Sequence, residues 1–384
     1  MRGSRSFASP RTAVGTAFFV HAMITGSFAG RVPAIKHGLG VTDAQLGAAL
    51  FAAALGTLVG GRVGGVLAAR VGPRRIVRVG LPAYAALLVA TALAGSLAAI
   101  AVVLLVYGVV AASVDVCTNA EAVVVEREHG RPLMSGFHGM WSIGLLAGGA
   151  LAIGAAAADL STTAHFGLVA VAVIVVSAPL LAGLPQREPQ PRLATRGDRW
   201  SGAVIVLGMI AFCSFFAEGA AADWSAVFLH DRADAGPALA AAAFASFSLA
   251  MAASRLAGDA LAVRVGPVRL ARVGSLVSAA GLAFALLVPV PGAGLVGFAL
   301  LGIGLGPVVP TVISAAGGAR LGTTEGVVSR VFTLGYAGSV VGPAVIGFVA
   351  GQAGLRVALV IPVLLVLAIA LTAGRLGTAA GGEG

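Results

Sequence analysis

Charged side chains are scarce in this chain of 384 residues: Asp, Glu, Lys and Arg make up 10% of it, whereas soluble domains carry about 25%. Long polar stretches are equally rare. The residues AVILMFWYC account for 58%, and the mean hydropathy is +0.99. This composition excludes an ordinary soluble domain and predicts a protein that crosses a lipid bilayer many times.

Cysteine is nearly absent, since the chain contains only Cys117 and Cys213, both inside apolar runs. Their spacing fits no metal site, and we expect them to be small packing residues rather than a disulfide or redox pair. The sequence also has no nucleophile elbow, phosphate-binding loop or Cys/His cluster. We therefore expect a protein that is not an enzyme and that needs no cofactor and no metal.

Aromatic residues are few, at 6%, whereas glycine is abundant, with 55 residues. In a soluble helical protein so much glycine would be destabilising. In lipid, small residues let helix backbones approach closely. The composition predicts closely packed transmembrane helices.

The net charge of +10 permits an alternative interpretation, nucleic-acid binding. The arginines, however, lie in short segments between apolar runs, where they act as an orientation signal. We therefore expect a lipid bilayer and no nucleic acid among the partners.

One arginine-rich segment occurs twice. Residues 67–80, LAARVGPRRIVRVG, return 194 residues later at 261–274 as LAVRVGPVRLARVG, with ten of fourteen positions identical. The offset is close to half of the chain length, which indicates a duplicated architecture. Because each copy lies between long apolar runs, both copies are predicted to be loops on one side of the membrane.

Apolar runs of about 20 residues predict twelve transmembrane helices in an all-α membrane protein. They divide into an N-terminal half at 1–184 and a C-terminal half at 201–384, joined by a proline-rich linker at 185–200. The predicted spans are 12–30, 44–66, 76–96, 98–120, 137–158, 164–184, 201–223, 238–260, 268–288, 293–313, 326–350 and 354–374.

The distribution of Lys and Arg orients these spans. Twelve spans place 19 basic residues on the side of both termini and the linker, and four on the opposite side. Cytoplasmic loops carry the excess of positive charge. Both termini and the linker are therefore predicted to be cytoplasmic.

The duplicated loop resembles the loop that follows the second span in the major facilitator superfamily. In the first half the matching residues include Gly65, Arg70, Gly72 and Arg74, but the acidic position of the motif is occupied by Ala69. In the second half the related residues are Asp259, Arg264, Gly266 and their neighbours Gly258 and Leu261. The resemblance covers the whole chain and implies two parallel six-helix repeats. The missing acid predicts that the first half lacks the acid-based cytoplasmic contact of that family.

Two further stretches, 131–144 and 222–231, resemble a bacterial branch of this superfamily whose substrates are largely unassigned. This resemblance implies a multi-pass protein of the cell inner membrane and a small-molecule solute. The glycines around Pro343 in span eleven are similar to a glycine–proline pattern of drug antiporters. In those antiporters, however, the pattern lies in span five. Span five has Gly144, Gly148 and Gly149 without that proline, which argues against drug export.

Ionisable residues inside spans are candidates for function because they are costly to bury. Glu218 in the outer half of span seven and Asp115 in span four are the candidates for proton coupling. Glycine and alanine after Glu218 predict open volume beside it. Asp115 has Asn119 four residues away on the same helix face, so a packing role is the alternative. Arg255 is expected to join a cytoplasmic charge network with Asp259.

Arg31 and Asp223 end spans one and seven at equivalent positions of the two halves, so they are candidates for an extracellular gate. The alternative is that Arg31 extends to the lipid phosphates. The candidates for lining a central cavity, with helix packing as the alternative role, are His21, Asn119, His138, Trp141 and Trp224.

Span ten contains Gly302, Gly304, Gly306, Pro307 and Pro310, which predict a broken or kinked helix. Together these features favour a monomeric secondary active transporter that moves a small organic solute by alternating access, coupled to protons by symport or antiport. Drug or metabolite efflux by proton antiport is one alternative. A membrane sensor or scaffold without transport is the other, because a fold alone does not define function.

Overall fold

The duplicated loops have the same backbone geometry. Gly72 has φ 83° and ψ 143°, and Gly266 has φ 81° and ψ 150°, both in a region that favours glycine. Each glycine ends one long helix and precedes a proline that opens the next, Pro73 or Pro267. The repeated sequence therefore builds the same tight helix–helix connection twice.

The computed structural model describes residues 8–186, 200–233, 237–288, 290–319 and 322–377. The predicted linker at 185–200 falls largely outside this part, since residues 187–199 are not among the described ones. The helices are α1 (Pro10–Ala29), α2 (Val32–Leu39), α3 (Asp43–Val71), α4 (Pro73–Leu93), α5 (Leu97–His129), α6 (Met134–Ala157), α7 (Thr162–Leu181), α8 (Gly202–Ala233), α9 (Pro237–Val265), α10 (Pro267–Leu287), α11 (Pro291–Leu305), α12 (Val308–Gly318), α13 (Thr324–Ala353), α14 (Leu355–Ala358) and α15 (Val360–Thr372).

Eleven helical stretches in the described ranges are long and apolar enough to cross a membrane. The helix α9, with 29 residues, completes the set of twelve and carries Arg255, Asp259 and Arg264. The tenth span is broken as predicted: α11 ends at Leu305 and α12 begins at Val308, with Gly306 and Pro307 between them. The fold is an all-α membrane protein with twelve spans.

The described residues form two compact units. The first consists of Met1–His129, Met140–Ala194 and Thr323–Ser329, and the second of Gly130–Gly139, Thr195–Gly322 and Arg330–Gly384. The units follow the two sequence halves with two exceptions. The beginning of α6 belongs to the second unit, and the beginning of α13 belongs to the first.

Glycines allow helix backbones to touch at equivalent places in the two units. A Cβ at Gly108 of α5 would overlap the carbonyl oxygen of Ala53 in α3. A Cβ at Gly302 of α11 would overlap the carbonyl oxygen of Phe247 in α9. Each residue of the second pair lies 194 residues after its counterpart in the first pair, so the duplication preserved this packing. Small residues at these contacts explain the high glycine content.

An arginine near the start of the third span of each unit binds the end of the last span. In the first unit Arg74 Nη2 donates to the carbonyl oxygen of Ala182 at 2.9 Å. In the second unit Arg272 Nε donates to the carbonyl oxygen of Ala370 at 3.3 Å. A cation at a helix C-terminus stabilises the free carbonyls there.

Candidate solute and proton site

A buried ion pair joins two helices of the second unit. Arg255 Nη2 of α9 lies 3.4 Å from Glu218 Oε2 of α8, and Ser214 Oγ donates to Glu218 Oε1 at 3.1 Å. The Nε of Arg255 donates to the carbonyl oxygen of Gly306 at 3.4 Å. The exposed fraction is 5% for the Arg255 side chain and 21% for that of Glu218. The carboxylate is thus bound on one side and open on another.

The position and the partner of Glu218 differ from the sequence prediction. Glu218 was expected in the outer half of a span ending at residue 223, but α8 continues to Ala233, so it lies near the midpoint of the helix. Arg255 was expected to join a charge network with Asp259, which stays a prediction, and the structure shows an ion pair of Arg255 with Glu218. Its contact could not be derived from sequence because it depends on the rotation of α9 against α8.

The residue next to Glu218 on α8 has open space beside it. A Cβ built at Gly219 would have no heavy atom within 4 Å. Further along α8, Ala222 and Asp223 are exposed. Glu218 is therefore the more exposed member of the ion pair.

Asp259 binds the start of α6 within the second unit. Its Oδ1 accepts from the backbone N–H of Ser135 at 2.9 Å, and its Oδ2 accepts from that of Gly136 at 2.8 Å. Ser135 Oγ also donates to the carbonyl oxygen of Arg255 at 2.8 Å. The first N–H groups of a helix lack partners inside the helix, so the carboxylate satisfies two of them.

The first unit repeats half of this arrangement. Ser329 Oγ, at the start of α13, donates to the carbonyl oxygen of Gly61 in α3 at 2.7 Å. Ser329 and Gly61 are the 194-residue equivalents of Ser135 and Arg255. The equivalent of Asp259 is Gly65, which packs directly against Ser329. The duplication therefore kept the serine contact in both units and the acid in the second.

The other residues of the loop motif have separate roles. Arg70 and Arg264 are exposed, so they lie in the solvent or headgroup region rather than in the helix contacts. Gly72 and Gly266 form the turns, and Arg74 binds the end of α7.

Asp115 and Asn119 form a hydrogen-bonded pair in α5 of the first unit. Asn119 Nδ2 donates to Asp115 Oδ1 and to the Asp115 carbonyl oxygen, both at 3.0 Å. Asn119 is fully buried, and Asp115 is half-buried. The predicted contact along one helix face is confirmed.

His21 belongs to an aromatic cluster in the first unit. Its ring centroid lies 5.2 Å from that of Tyr84, which lies 4.3 Å from that of Tyr107. The hydroxyls of Tyr84 and Thr25 are 3.0 Å apart. His21 is 7% exposed, so it is largely packed among these side chains. Sequence reasoning did not identify the two tyrosines, because neither is ionisable near neutral pH.

Arg31 is bound inside the first unit. Its Nη2 donates to the carbonyl oxygen of Leu160 at 2.6 Å and lies 3.4 Å from Thr162 Oγ1. Asp223, the second member of the predicted gate, is an exposed residue of the second unit. The gate remains a prediction, and Arg31 also fixes the connection between α6 and α7.

The remaining cavity candidates lie on α6 and α8. His138 is buried near the start of α6, and Trp141 is half-buried one turn later. Trp224 is half-buried in α8, and its ring lies 3.5 Å from a Cβ built at Gly347 of α13. Their role in lining a cavity remains a prediction.

Twelve spans, several with ionisable side chains inside them, define a polytopic membrane protein. A family model described as Major Facilitator Superfamily matches residues 14–319. The chain therefore belongs to the major facilitator superfamily.

Several relatives share nearly the full length. The chain is 33% identical over 373 residues to an uncharacterized MFS-type transporter of Yersinia pestis, covering 95% of both chains. It is 30% identical over 375 residues to an uncharacterized transporter of Sinorhizobium fredii, covering 96% of this chain and 98% of the relative. It is 29% identical to the membrane protein MosC of Rhizobium meliloti, covering 91% and 85%.

Solved structures share the fold. The transporter FucP in its outward conformation aligns with a TM-score of 0.82 at 17% identity, covering 97% of this chain and 99% of FucP. The human organic anion transporter MFSD10 aligns with a TM-score of 0.78 at 16% identity, covering 95% and 98%. These likenesses show the same architecture, and the chain is accordingly a membrane transporter by family and fold.

Proposed function

We propose that this transporter moves a small organic solute by alternating access and couples the movement to protons. The observation that carries the proposal is the buried pair of Glu218 and Arg255 near the middle of α8. A lone charge inside a membrane protein is strongly unfavourable, and in the ion pair each member compensates the charge of the other. Protonation of Glu218 would weaken its attraction to Arg255.

The pair can therefore link proton binding to a rearrangement of α8 and α9. In the proton-free state the guanidinium holds the two helices together through Glu218. In the protonated state the attraction between Arg255 and Glu218 is weaker, so the guanidinium can bind an acceptor on the solute. A proton and a solute that act on the same pair would be coupled, because each changes the affinity for the other.

Asp115 is the second candidate for proton coupling, in the first unit. Its carboxylate already accepts a hydrogen bond from Asn119, and an uncharged amide compensates a carboxylate less than a guanidinium does. We rank Glu218 first because protonation there breaks an ion pair between two helices. At Asp115 it would weaken the hydrogen bond from Asn119.

The comparisons are compatible with this proposal. The E. coli protein FucP, whose fold this chain shares, is described as a fucose:proton symporter. We further propose a monomer in the cell inner membrane with both termini and the linker in the cytoplasm, on the basis of the arginine distribution. Efflux by proton antiport uses the same pair with the opposite direction of solute movement.

The test is transport by the purified protein in liposomes with an imposed pH gradient. Sugars, amino acids and organic acids are offered in turn, with and without a protonophore. Accumulation of one solute that the protonophore abolishes supports proton-coupled transport. A sensor or scaffold would give no flux of any solute above protein-free liposomes, and that result would contradict the proposal.

A further inference from the structure

The duplicated arginine segment keeps its exposed residues and varies the others. Residues 67–80 and 261–274 differ at four of fourteen positions, and in the first copy none of those four is exposed. Six positions are exposed in both copies, and all six carry the same residue. We call these six the basic surface of each unit: Leu67, Arg70, Val71, Arg75, Arg78 and Val79 in the first, and Leu261, Arg264, Val265, Arg269, Arg272 and Val273 in the second.

The neighbouring sequence excludes a recent duplication as the cause of this identity. Residues 59–66 and 253–260 come directly before the two copies, and they match only at Gly64 and Gly258. The halves have therefore diverged next to the segment while the basic surfaces stayed the same. Exposed positions usually tolerate substitution with little effect on stability. A requirement on the surface itself explains why these positions did not change.

Neither helix stability nor membrane orientation requires this pattern. Arg75 and Arg269 lie in the first turns of α4 and α10, which contain no acidic residue and whose N-caps make no side-chain hydrogen bond. Positive charge at the start of a helix is unfavourable. The orientation signal depends on the number of Lys and Arg residues near the spans and needs no fixed apolar neighbours. The retained residues therefore point to a ligand.

The chemistry of the basic surface defines that ligand. Neither copy of the segment contains Asp or Glu. Within the described ranges, none of the six arginines forms an ion pair with a carboxylate. Arg75, Arg78 and Val79 are three and four residues apart, so they share one face of α4. Val79 is 65% exposed and its counterpart Val273 is 51% exposed. Guanidinium groups bind phosphate, and exposed valines beside them fit an acyl chain.

We propose that each basic surface binds one anionic phospholipid. The phosphate lies on Arg75 and Arg78 in the first unit and on Arg269 and Arg272 in the second. The acyl chains run along the exposed leucine and valine side chains of the same surface. Both surfaces lie at the ends of membrane spans, where lipid headgroups are found. This site is separate from the Glu218–Arg255 pair, so it does not depend on which solute is transported or on proton coupling.

The first experiment is native mass spectrometry of the purified protein in detergent. The probes are dioleoyl phosphatidylglycerol, dioleoyl phosphatidylcholine with the same acyl chains, glycerol 3-phosphate and inorganic phosphate. We expect the protein to retain one phosphatidylglycerol on each basic surface, and to retain phosphatidylcholine more weakly. Glycerol 3-phosphate and inorganic phosphate should not displace the bound lipid, because they lack acyl chains. Equal retention of the two lipids, or displacement by either phosphate, would overturn the proposal.

The second experiment locates the site with matched double substitutions. Arg75→Gln with Arg78→Gln removes two arginines of the first basic surface and leaves Arg272, which also binds the end of the last span, in place. Arg11→Gln with Arg131→Gln removes the same charge from two exposed arginines elsewhere. The first variant should lose one bound phosphatidylglycerol, with affinity at that site reduced about tenfold or more. The control should bind as the wild type does.

Two further measurements separate lipid binding from general effects of the substitutions. Arg75→Lys with Arg78→Lys keeps the charge and should still prefer phosphatidylglycerol to phosphatidylcholine. Without added lipid, the apparent melting temperatures of all variants should agree within about 2 °C, because exposed side chains are changed. Equal loss of phosphatidylglycerol from the two Gln variants, or no loss from either, would refute the location.

Discussion

Replacing Asp259 with asparagine should destabilise the protein through the start of α6. The carboxylate accepts two backbone N–H groups, from Ser135 at 2.9 Å and from Gly136 at 2.8 Å. A hydrogen bond to a charged acceptor contributes about 1.5–3 kcal/mol, and the favourable charge at the helix N-terminus adds about 0.3–1 kcal/mol. Asparagine keeps one acceptor oxygen and places an amide donor against the other N–H. We therefore expect a loss of about 2–3 kcal/mol.

The assay is thermal unfolding in detergent. With about 2–4 °C for each kcal/mol, the apparent melting temperature of Asp259→Asn should fall by about 4–12 °C. Asp231→Asn is the matched control, because Asp231 is an exposed acid whose carboxylate lies 2.9 Å from His230 Nδ1. Its effect should stay below about 2 °C, as for an exposed pair. Equal shifts in the two variants would refute the view that Asp259 acts as an acceptor for the α6 backbone.

Two further predictions concern the gate and the topology. If Arg31 and Asp223 attract each other during transport, Arg31→Asp and Asp223→Arg should each reduce the transport rate, and the double variant should recover part of it. The gate hypothesis fails if the single variants transport like the wild type, or if the double variant is no better than the weaker single variant. The role of Arg31 would then be its contacts with the α6–α7 connection. For the topology, an impermeant maleimide should label a cysteine at Ala233 in intact cells. A cysteine at Ala194, which lies outside the described residues, should react only after permeabilisation, and its labelling in intact cells would contradict the cytoplasmic linker.

The architecture could be read from the sequence because it depends on local patterns. Apolar runs of fixed length and the 194-residue repeat predicted twelve spans, and Gly306 and Pro307 predicted the break in the tenth. Helix ends were less accurate. The predicted seventh span stopped at residue 223, whereas α8 continues to Ala233, because the acids Glu218 and Asp223 lowered the apolar content of a continuous helix.

The contacts of the candidate site depend on how helices face each other, and sequence spacing alone does not determine that. The pair Asp115 and Asn119 was predictable since both residues lie on one helix face. The partner of Glu218 was not, because Arg255 lies on a different helix. One signal was missed: Ser135 and Ser329 are 194 residues apart, and their hydroxyls bind equivalent carbonyl groups. Extending the repeat comparison beyond the arginine loops would have identified them.

The central claim, that protons are coupled to transport through Glu218, is tested most directly by separating exchange from accumulation. Reconstituted Glu218→Gln is compared with the wild type, with Asp115→Asn, and with Glu128→Gln, a matched change at an exposed acid. Glu218→Gln should still exchange labelled for unlabelled solute but should lose accumulation driven by an imposed pH gradient. Glu128→Gln should keep both activities. If Glu218→Gln and Asp115→Asn both accumulate solute against its gradient as the wild type does, neither acid is the coupling site and the claim is wrong.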